Sequence, residues 1–423
     1  MAGSYLAMIS KLKVVTVLGM KTKRAFAKLS SFILISTFVL WGACQSAPKI
    51  VTPQFPEFQI QKITGEGIET VTVKPSSNAW PDLVTAPTLT ALSTSTKNLR
   101  LAVIGDTGCR LKETKNGNVY QDCSVTKEWP YSEVVMSLEK ENYNFAIHTG
   151  DYHYREQCTD AKLCPAYGKY IGYVWGAWWD DFYGPTQSLF KKTPWLFVRG
   201  NHEDCNRAYT GWAPLSAVSN KKFLDTCTEV EPYQWVEMDD VVFINFDNAM
   251  MEDRKPLAPE EAAKWKTKFV ELKDKIDSLK TKKEIWFLSH KPMFGYVPDK
   301  KDAEPVAIDT YMSDLLKASG LYDKVDIFLA GHIHTQQVVP LNGKGKKPEP
   351  KLQLVVAHSG TSLDPFGRKM LSAKIMTTTE NKYSFGYAMF EKLGFKKWKF
   401  IFKDTKGVTQ LECQSDANKV ACE

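Results

Sequence analysis

Residues 144–154 read Asn-Phe-Ala-Ile-His-Thr-Gly-Asp-Tyr-His-Tyr, an apolar run that stops at a glycine and is followed directly by Asp151, Tyr152, His153 and Tyr154. A short continuous apolar run bounded by a turn signal reads as a strand buried on both faces. The glycine lets the chain turn sharply where the strand ends. The same grammar recurs on either side. The runs are LRLAVI (99–104), PWLFV (194–198), VVFINF (241–246), EIWFLS (284–289), VDIFLA (325–330) and LQLVVA (352–357). Between the fourth and fifth of the seven runs, Pro259–Leu279 places Ala262, Trp265, Phe269, Leu272, Ile276 and Leu279 at helical spacing, with acidic residues in the first turn. Residues 383–403 alternate as a hairpin does. The fold class is therefore α/β, with buried strands of a central sheet covered on its faces.

Five runs end on polar residues. They lead into Gly105-Asp106-Thr107-Gly108, Gly150-Asp151 with Tyr154, Gly200-Asn201-His202-Glu203, His290, and Gly331-His332-Ile333-His334. In open α/β sheets, sites form where the carboxyl ends of strands converge. A set of carboxylates, imidazoles, one amide and one phenol suits two metal ions, because close cations need a bridging anion and hard or borderline donors on either side. A phenol with an ordinary pKa near 10 ionises at neutral pH only against a strongly charged ion.

The order GD-x-G, GD-x-x-Y, GNH-E, a lone His after a strand and GH-x-H resembles the calcineurin-like metallophosphoesterases. The first two forms resemble the purple acid phosphatase branch, and the wording around Cys109-Arg110 and Gln121-Asp122-Cys123 looks like secreted bacterial members. The resemblance runs from about Leu99 to Ser362 and implies a sandwich of two central mixed β-sheets flanked by helices, with a dimetal site at the strand C-terminal ends. It implies a ferric ion on Asp106, Tyr154 and His334, with Asp151 bridging to a divalent ion (Fe, Zn or Mn) on Asn201, His290 and His332. It implies that His202 faces the leaving group, with Glu203 orienting its ring. The implied reaction is hydrolysis of a phosphate ester, as in an acid phosphatase, by in-line attack of metal-activated water. A phosphodiesterase or nucleotidase on the same centre is the alternative within enzymes. A generic dimetal phosphoesterase on Mn, Zn or Fe(II) follows if Tyr154 points elsewhere, and a non-catalytic metal-binding surface lipoprotein is the reading from another class.

Around this set, Arg155, Arg199 and Lys291 are candidates for phosphate oxygens or for structural ion pairs. His153 is a candidate for the pocket or for solvent, and His358 for the site rim. His148, inside a strand, reads as a hydrogen-bonded core residue. Trp175, Trp178, Trp179, Phe182 and Tyr183 read as core packing, with the wall of a cleft as the other option.

The remaining sequence concerns the address. Of 423 residues, 43% are hydrophobic, 12% aromatic and 24% charged, which excludes a disordered or collagen-like chain. The formal charge is +7, yet six of the 55 Lys and Arg and none of the 48 Asp and Glu lie in residues 1–43. From Cys44 onward the net charge is +1, so no nucleic-acid partner is expected. The basic head, the apolar segment Leu29–Trp41 and the small residues Gly42-Ala43 form a signal peptide, of ordinary size if the start is Met20. Leu40-Trp41-Gly42-Ala43-Cys44 resembles a lipoprotein cleavage box. This implies a lipid anchor on Cys44 and attachment to a bacterial membrane, in the periplasm or cell envelope; simple cleavage after Ala43 is the alternative. Residues 44–98 read as a tether carrying a strand or two near Phe58–Val73, and 99–423 as the metallophosphoesterase domain with its C-terminal hairpin. Apart from Cys44 there are eight cysteines, an even number that suits an exported chain. Proximity suggests 109–123, 158–164, 205–227 and 413–422; a zinc site is the weaker reading because no C-x₂-C pair occurs. The partner expected is a phosphate ester, and nothing in the sequence sets an oligomeric state.

Overall fold

A computed structural model describes residues 55–75, 80–93, 95–113, 117–160, 162–166, 168–217, 227–253, 255–297, 306–308, 311–341, 351–364, 384–416 and 419–423. The leader and Cys44 lie outside the described residues.

Each apolar run forms a strand. In chain order the elements are β1 (Phe58–Thr64), β2 (Gly67–Lys74), β3 (Asp82–Thr90), β4 (Arg100–Ile104), β5 (Leu111–Lys112), β6 (Val119–Tyr120), α1 (Tyr131–Leu138) and β7 (Phe145–His148). Then come α2 (Trp175–Trp178), α3 (Gly184–Lys192), β8 (Trp195–Phe197), α4 (Tyr209–Trp212), β9 (Gln234–Glu237), β10 (Val241–Asn245), α5 (Pro259–Asp277) and β11 (Glu284–Leu288). The rest are β12 (Tyr296–Val297), β13 (Val306–Ala307), α6 (Tyr311–Ala318), β14 (Ile327–Ala330), β15 (Gln336–Leu341), β16 (Lys351–Val356), β17 (Gly386–Gly394), β18 (Lys397–Asp404), β19 (Thr409–Ser415) and β20 (Val420–Cys422).

Two mixed sheets carry the molecule. The larger has ten strands in the order β20-β19-β18-β17-β4-β7-β8-β1-β2-β3, and the smaller has six, β15-β16-β14-β11-β10-β9. Their centres are parallel: β4 beside β7 beside β8 in one, and β10, β11, β14 and β16 in the other. Successive side chains on a strand point to opposite faces, and the layers follow. Leu101 and Val103 of β4 pack with Phe243, Trp286 and Leu288 between the sheets. Ala102 and Ile104 face the layer of α1 and α3. On the other sheet Ile285 and Phe287 meet Trp265, Phe269 and Leu316 of α5 and α6. The sheets touch edge to face at Phe145 and Phe243, with ring centroids 5.7 Å apart. The expected two-sheet sandwich with outer helices is the fold found.

Two segments do more than their sequence suggested. Within 44–98, β1, β2 and β3 are built into the large sheet. Phe58, Ile60, Val71 and Val73 are buried in its core, and β1 runs parallel to β8. The C-terminal hairpin is β17–β18, extended by β19 and β20, and β17 inserts against β4. The four disulfides join Cys109 to Cys123, Cys158 to Cys164, Cys205 to Cys227 and Cys413 to Cys422, the pairing that proximity suggested. Among the described residues no helix is long and apolar enough to cross a membrane.

Candidate metal centre

The parallel strands of both sheets end at one rim. Asp106 follows β4, Asp151 follows β7, Asn201 follows β8, His290 follows β11, and His332 and His334 follow β14. Three of these residues, Asp106, Asp151 and His332, hold left-handed backbone at φ 54°, 58° and 71°. Such a conformation is uncommon for residues with a side chain and persists where the surroundings over-determine it. Crowding does so here. At Gly150, φ is 108° and a Cβ would run into the His290 ring. The His332 N–H also crosses between the sheets to Asp106 Oδ2 at 3.1 Å.

All seven expected ligands converge. The Tyr154 hydroxyl lies 2.7 Å from Asp151 Oδ2, 3.1 Å from Asp106 Oδ1 and 3.0 Å from His334 Nε2. His290 Nε2 lies 3.1 Å from Asn201 Oδ1 and 3.2 Å from Asp151 Oδ2. Ligand atoms of Asp151, His290 and His332 fall within 4.8 Å of one another.

The donor chemistry fits metal ions. His290 Nδ1 sits 2.8 Å from the Thr149 carbonyl, an acceptor, so its proton resides there and Nε2 presents a lone pair. That lone pair meets a carboxylate and an amide oxygen, three acceptors that only a cation reconciles. His332 Nε2 is 2.8 Å from Asp253 Oδ2, leaving Nδ1 for a ligand bond. Burial pushes His332 and His334 down to about 4, so both are neutral donors at physiological pH. Burial also lifts Asp151, but the facing His290 and His202 reverse this and leave it well below the usual carboxylate range. Burial, then Asp151 and Asp106, push the Tyr154 phenol well above its ordinary value, so a cation is needed to ionise it.

Several neighbours differ from expectation. Glu203 does not meet the His202 ring. Its carboxylate accepts the N–H groups of Asp151, Tyr152, His153 and Gly200 at 3.0, 2.9, 3.2 and 3.2 Å, fixing the turn that carries Asp151. The groups against His202 are Glu156, whose Oε1 is 3.1 Å from Nδ1, and Arg207, whose NH2 is 2.9 Å from it. Arg155 does not face substrate: its Nε donates to Asp181 Oδ1 at 2.6 Å and it lies over Trp129. Arg199 is also buried, donating to the Glu203 and Thr228 carbonyls and to Asp247. Lys291 donates to the Met251 carbonyl. His153 stacks on Trp178 at 5.6 Å beneath the turn rather than in the site. His358 lies fully buried beside Phe402, off the rim. His148 is the core residue expected: Gly150 N–H donates to its Nδ1 and its Nε2 is 3.0 Å from Thr107. The Trp175–Tyr183 aromatics pack in the core against Phe58 and Phe190.

Sequence reasoning missed Asp181, Glu156, Arg207, Asp253 and Arg110. Asp181 accepts the N–H groups of Cys109, Tyr154 and Arg155, clamping the first two motif loops together. No spacing rule marks these residues: most of their partners come from distant parts of the chain, and Arg207, five residues from His202, also needs the remote Glu156.

The sequence model of the calcineurin-like phosphoesterases matches residues 99–336, more than half of the chain. The chain belongs to the calcineurin-like phosphoesterase family. No curated protein sequence matches it. Among solved structures, this calcineurin-like phosphoesterase is similar to a purple acid phosphatase from yellow lupin (Lupinus luteus) seeds. The identity is 15% and the TM-score 0.50, covering 84% of this chain and 59% of that one. It is also similar to PhoD, at 11% identity and TM-score 0.52, covering 84% and 77%. At these identities the likeness is one of fold. The chain spans about three fifths of the lupin enzyme's length.

Proposed function

We propose that the chain is an exported phosphatase that hydrolyses phosphate monoesters at a binuclear centre. A ferric ion would rest on Asp106, Asp151, Tyr154 and His334, and a divalent ion (Fe, Zn or Mn) on Asp151, Asn201, His290 and His332. The observation that carries this reading is the Tyr154 hydroxyl, buried within 3.1 Å of three other ligands. Family membership supports phosphoester hydrolysis.

Metal ions held by these residues would supply an activated water and positive charge against the phosphoryl oxygens. The chain's own residues do the rest. Asp151 is held by its own N–H on Glu203, and its Oδ1 accepts the His202 N–H at 2.9 Å. His202, with its ring 3.9 Å from that of Tyr154, is placed to hold a proton for the departing oxygen. Glu156 and Arg207 fix its ring.

The test is metal analysis joined to hydrolysis of matched monoesters and diesters by metal-replete protein. Two metals per chain and faster monoester turnover are expected. Diester preference would replace the phosphatase reading with a phosphodiesterase, and no turnover on either would favour a binding lipoprotein. Asp151→Ala should lose both metals and activity; turnover retained in that variant overturns the bridging role. Export with a lipid anchor on Cys44 is supported by the leader and the four disulfides. Cys44→Ser should abolish incorporation of labelled palmitate in cells.

A further inference from the structure

Arg110 stands at the outer side of the centre with no carboxylate paired to it among the described residues. One nitrogen, NH1, lies 3.1 Å from His334 Nδ1, and its buried Nε has no hydrogen-bond partner. The contact with His334 cannot persist in the working site. Once His334 uses Nε2 as a ligand, its Nδ1 carries a proton, and a guanidinium has only donors to offer. Asp364, whose Oδ2 is 3.5 Å from the same Nδ1, is the group that can accept it. Arg110 is thereby left half-buried beside the centre with its charge unpaired among the described residues.

Lys112 stands beside it. Residues 110–112 run along the Tyr154 turn: Leu111 N–H donates to the Tyr154 carbonyl at 2.9 Å and Gln157 N–H to the Leu111 carbonyl at 3.1 Å. Leu111 is fully buried. Extended neighbours at i and i+2 share a face, so Arg110 and Lys112 both lie on the side away from Leu111, the side on which Arg110 meets His334. The Lys112 ammonium has no hydrogen-bond or ion-pair partner among the described residues; burial, then the charge of Arg207, push it down against the opposing pull of Glu156. Arg207 itself is neutralised by Glu156, to which its Nε donates at 2.8 Å. Two unneutralised cations thus sit beside the centre, with the whole His334 ring between Arg110 and the atoms that bind metal. They stand too far out to grip the reacting phosphoryl group and are suited to a charge further along the substrate.

We propose that the substrate is a phosphate ester bearing a second anionic group, a carboxylate or another phosphate, which Arg110 and Lys112 bind. The inference rests on the phosphatase reading above for the scissile end only. The test uses the metal-replete full chain and three non-hydrolysable probes measured by calorimetry: phenylphosphonate, 4-carboxyphenylphosphonate and 1,4-benzenediphosphonate. At least one doubly anionic probe should bind fivefold or more tighter than phenylphosphonate, and the larger gain identifies the second group. Arg110→Gln and Lys112→Met should each shrink that gain. Lys112, half-exposed, keeps the test valid if the Arg110 variant does not fold. Equal affinity for all three probes in the natural chain, or a gain that survives both substitutions, overturns the proposal. Hydrolysis of phenyl phosphate, measured separately, reports on the phosphatase reading. Turnover without discrimination sinks the second-anion site alone, and discrimination without turnover sinks the phosphatase alone.

Discussion

At the scale of single residues, the centre shows which roles a motif can announce. The seven residues expected as ligands were legible as a set because each lies beyond the end of a strand and carries a donor atom whose chemistry is the same wherever it stands. Glu203, Arg155 and Arg199 were not, because what a charged side chain does depends on what it meets. Asp181 is 26 residues from Arg155, and Asp247 is 48 from Arg199. Tyr154 carries the sharpest expectation. Tyr154→Phe should remove a visible phenolate-to-iron absorption band from purified protein, and an active, iron-loaded but colourless natural enzyme would refute the ferric assignment. Asp253 makes a quieter one. It fixes His332 through Nε2, and losing such an outer partner typically weakens metal binding by about 10–100-fold. Asp253→Asn should therefore lose metal to a chelator in competition titrations at concentrations that leave the natural chain loaded.

At the scale of elements, strands were easier to read than the segments between them. A run buried on both faces announces itself, as in β7 and β11. Strands β1 and β2 lie toward one margin of the large sheet and bury alternate side chains, so their threonines and charges read as a tether. The turn at 150–155 is an element in its own right, gripped from one side by Glu203 and from the other by Asp181. Removing one member of a buried ion pair typically costs about 3–5 kcal/mol, because the other charge is left uncompensated. Asp181→Ala should lower unfolding free energy on that scale. Adding Arg155→Met should recover part of the loss; a double variant no more stable than the single one would place the cost in the backbone hydrogen bonds instead.

At the scale of the whole molecule, the sandwich buries titratable groups far from the metal rim. Burial, with Asp326 nearby, pushes Glu284 up to about 7 from an ordinary 4.5, although Trp286 and Trp398 both donate to it. The fold therefore favours its neutral form. That stability is fully present below about pH 4.5 and is lost as pH rises through 7, a change of roughly 3 kcal/mol for such a shift. Urea unfolding at pH 5 and pH 8 should show this fall in the natural chain and a flatter profile in Glu284→Gln. The large sheet has a consequence of another kind. Its middle strand β4 is flanked by β7, about forty residues onward, and by β17, almost three hundred onward. Pairings of such long range close slowly, since the loop entropy must be met before the contact rewards it. If the chain is exported amino end first, as proposed above, Asp106, Asp151 and three of the four disulfides emerge long before β17 arrives. Until then one side of β4 is an open edge, the kind that invites pairing with a stranger. On that route the large sheet is closed at β4 by the last tenth of the polypeptide to emerge, and the period of greatest exposure to misfolding would be the one just before it does.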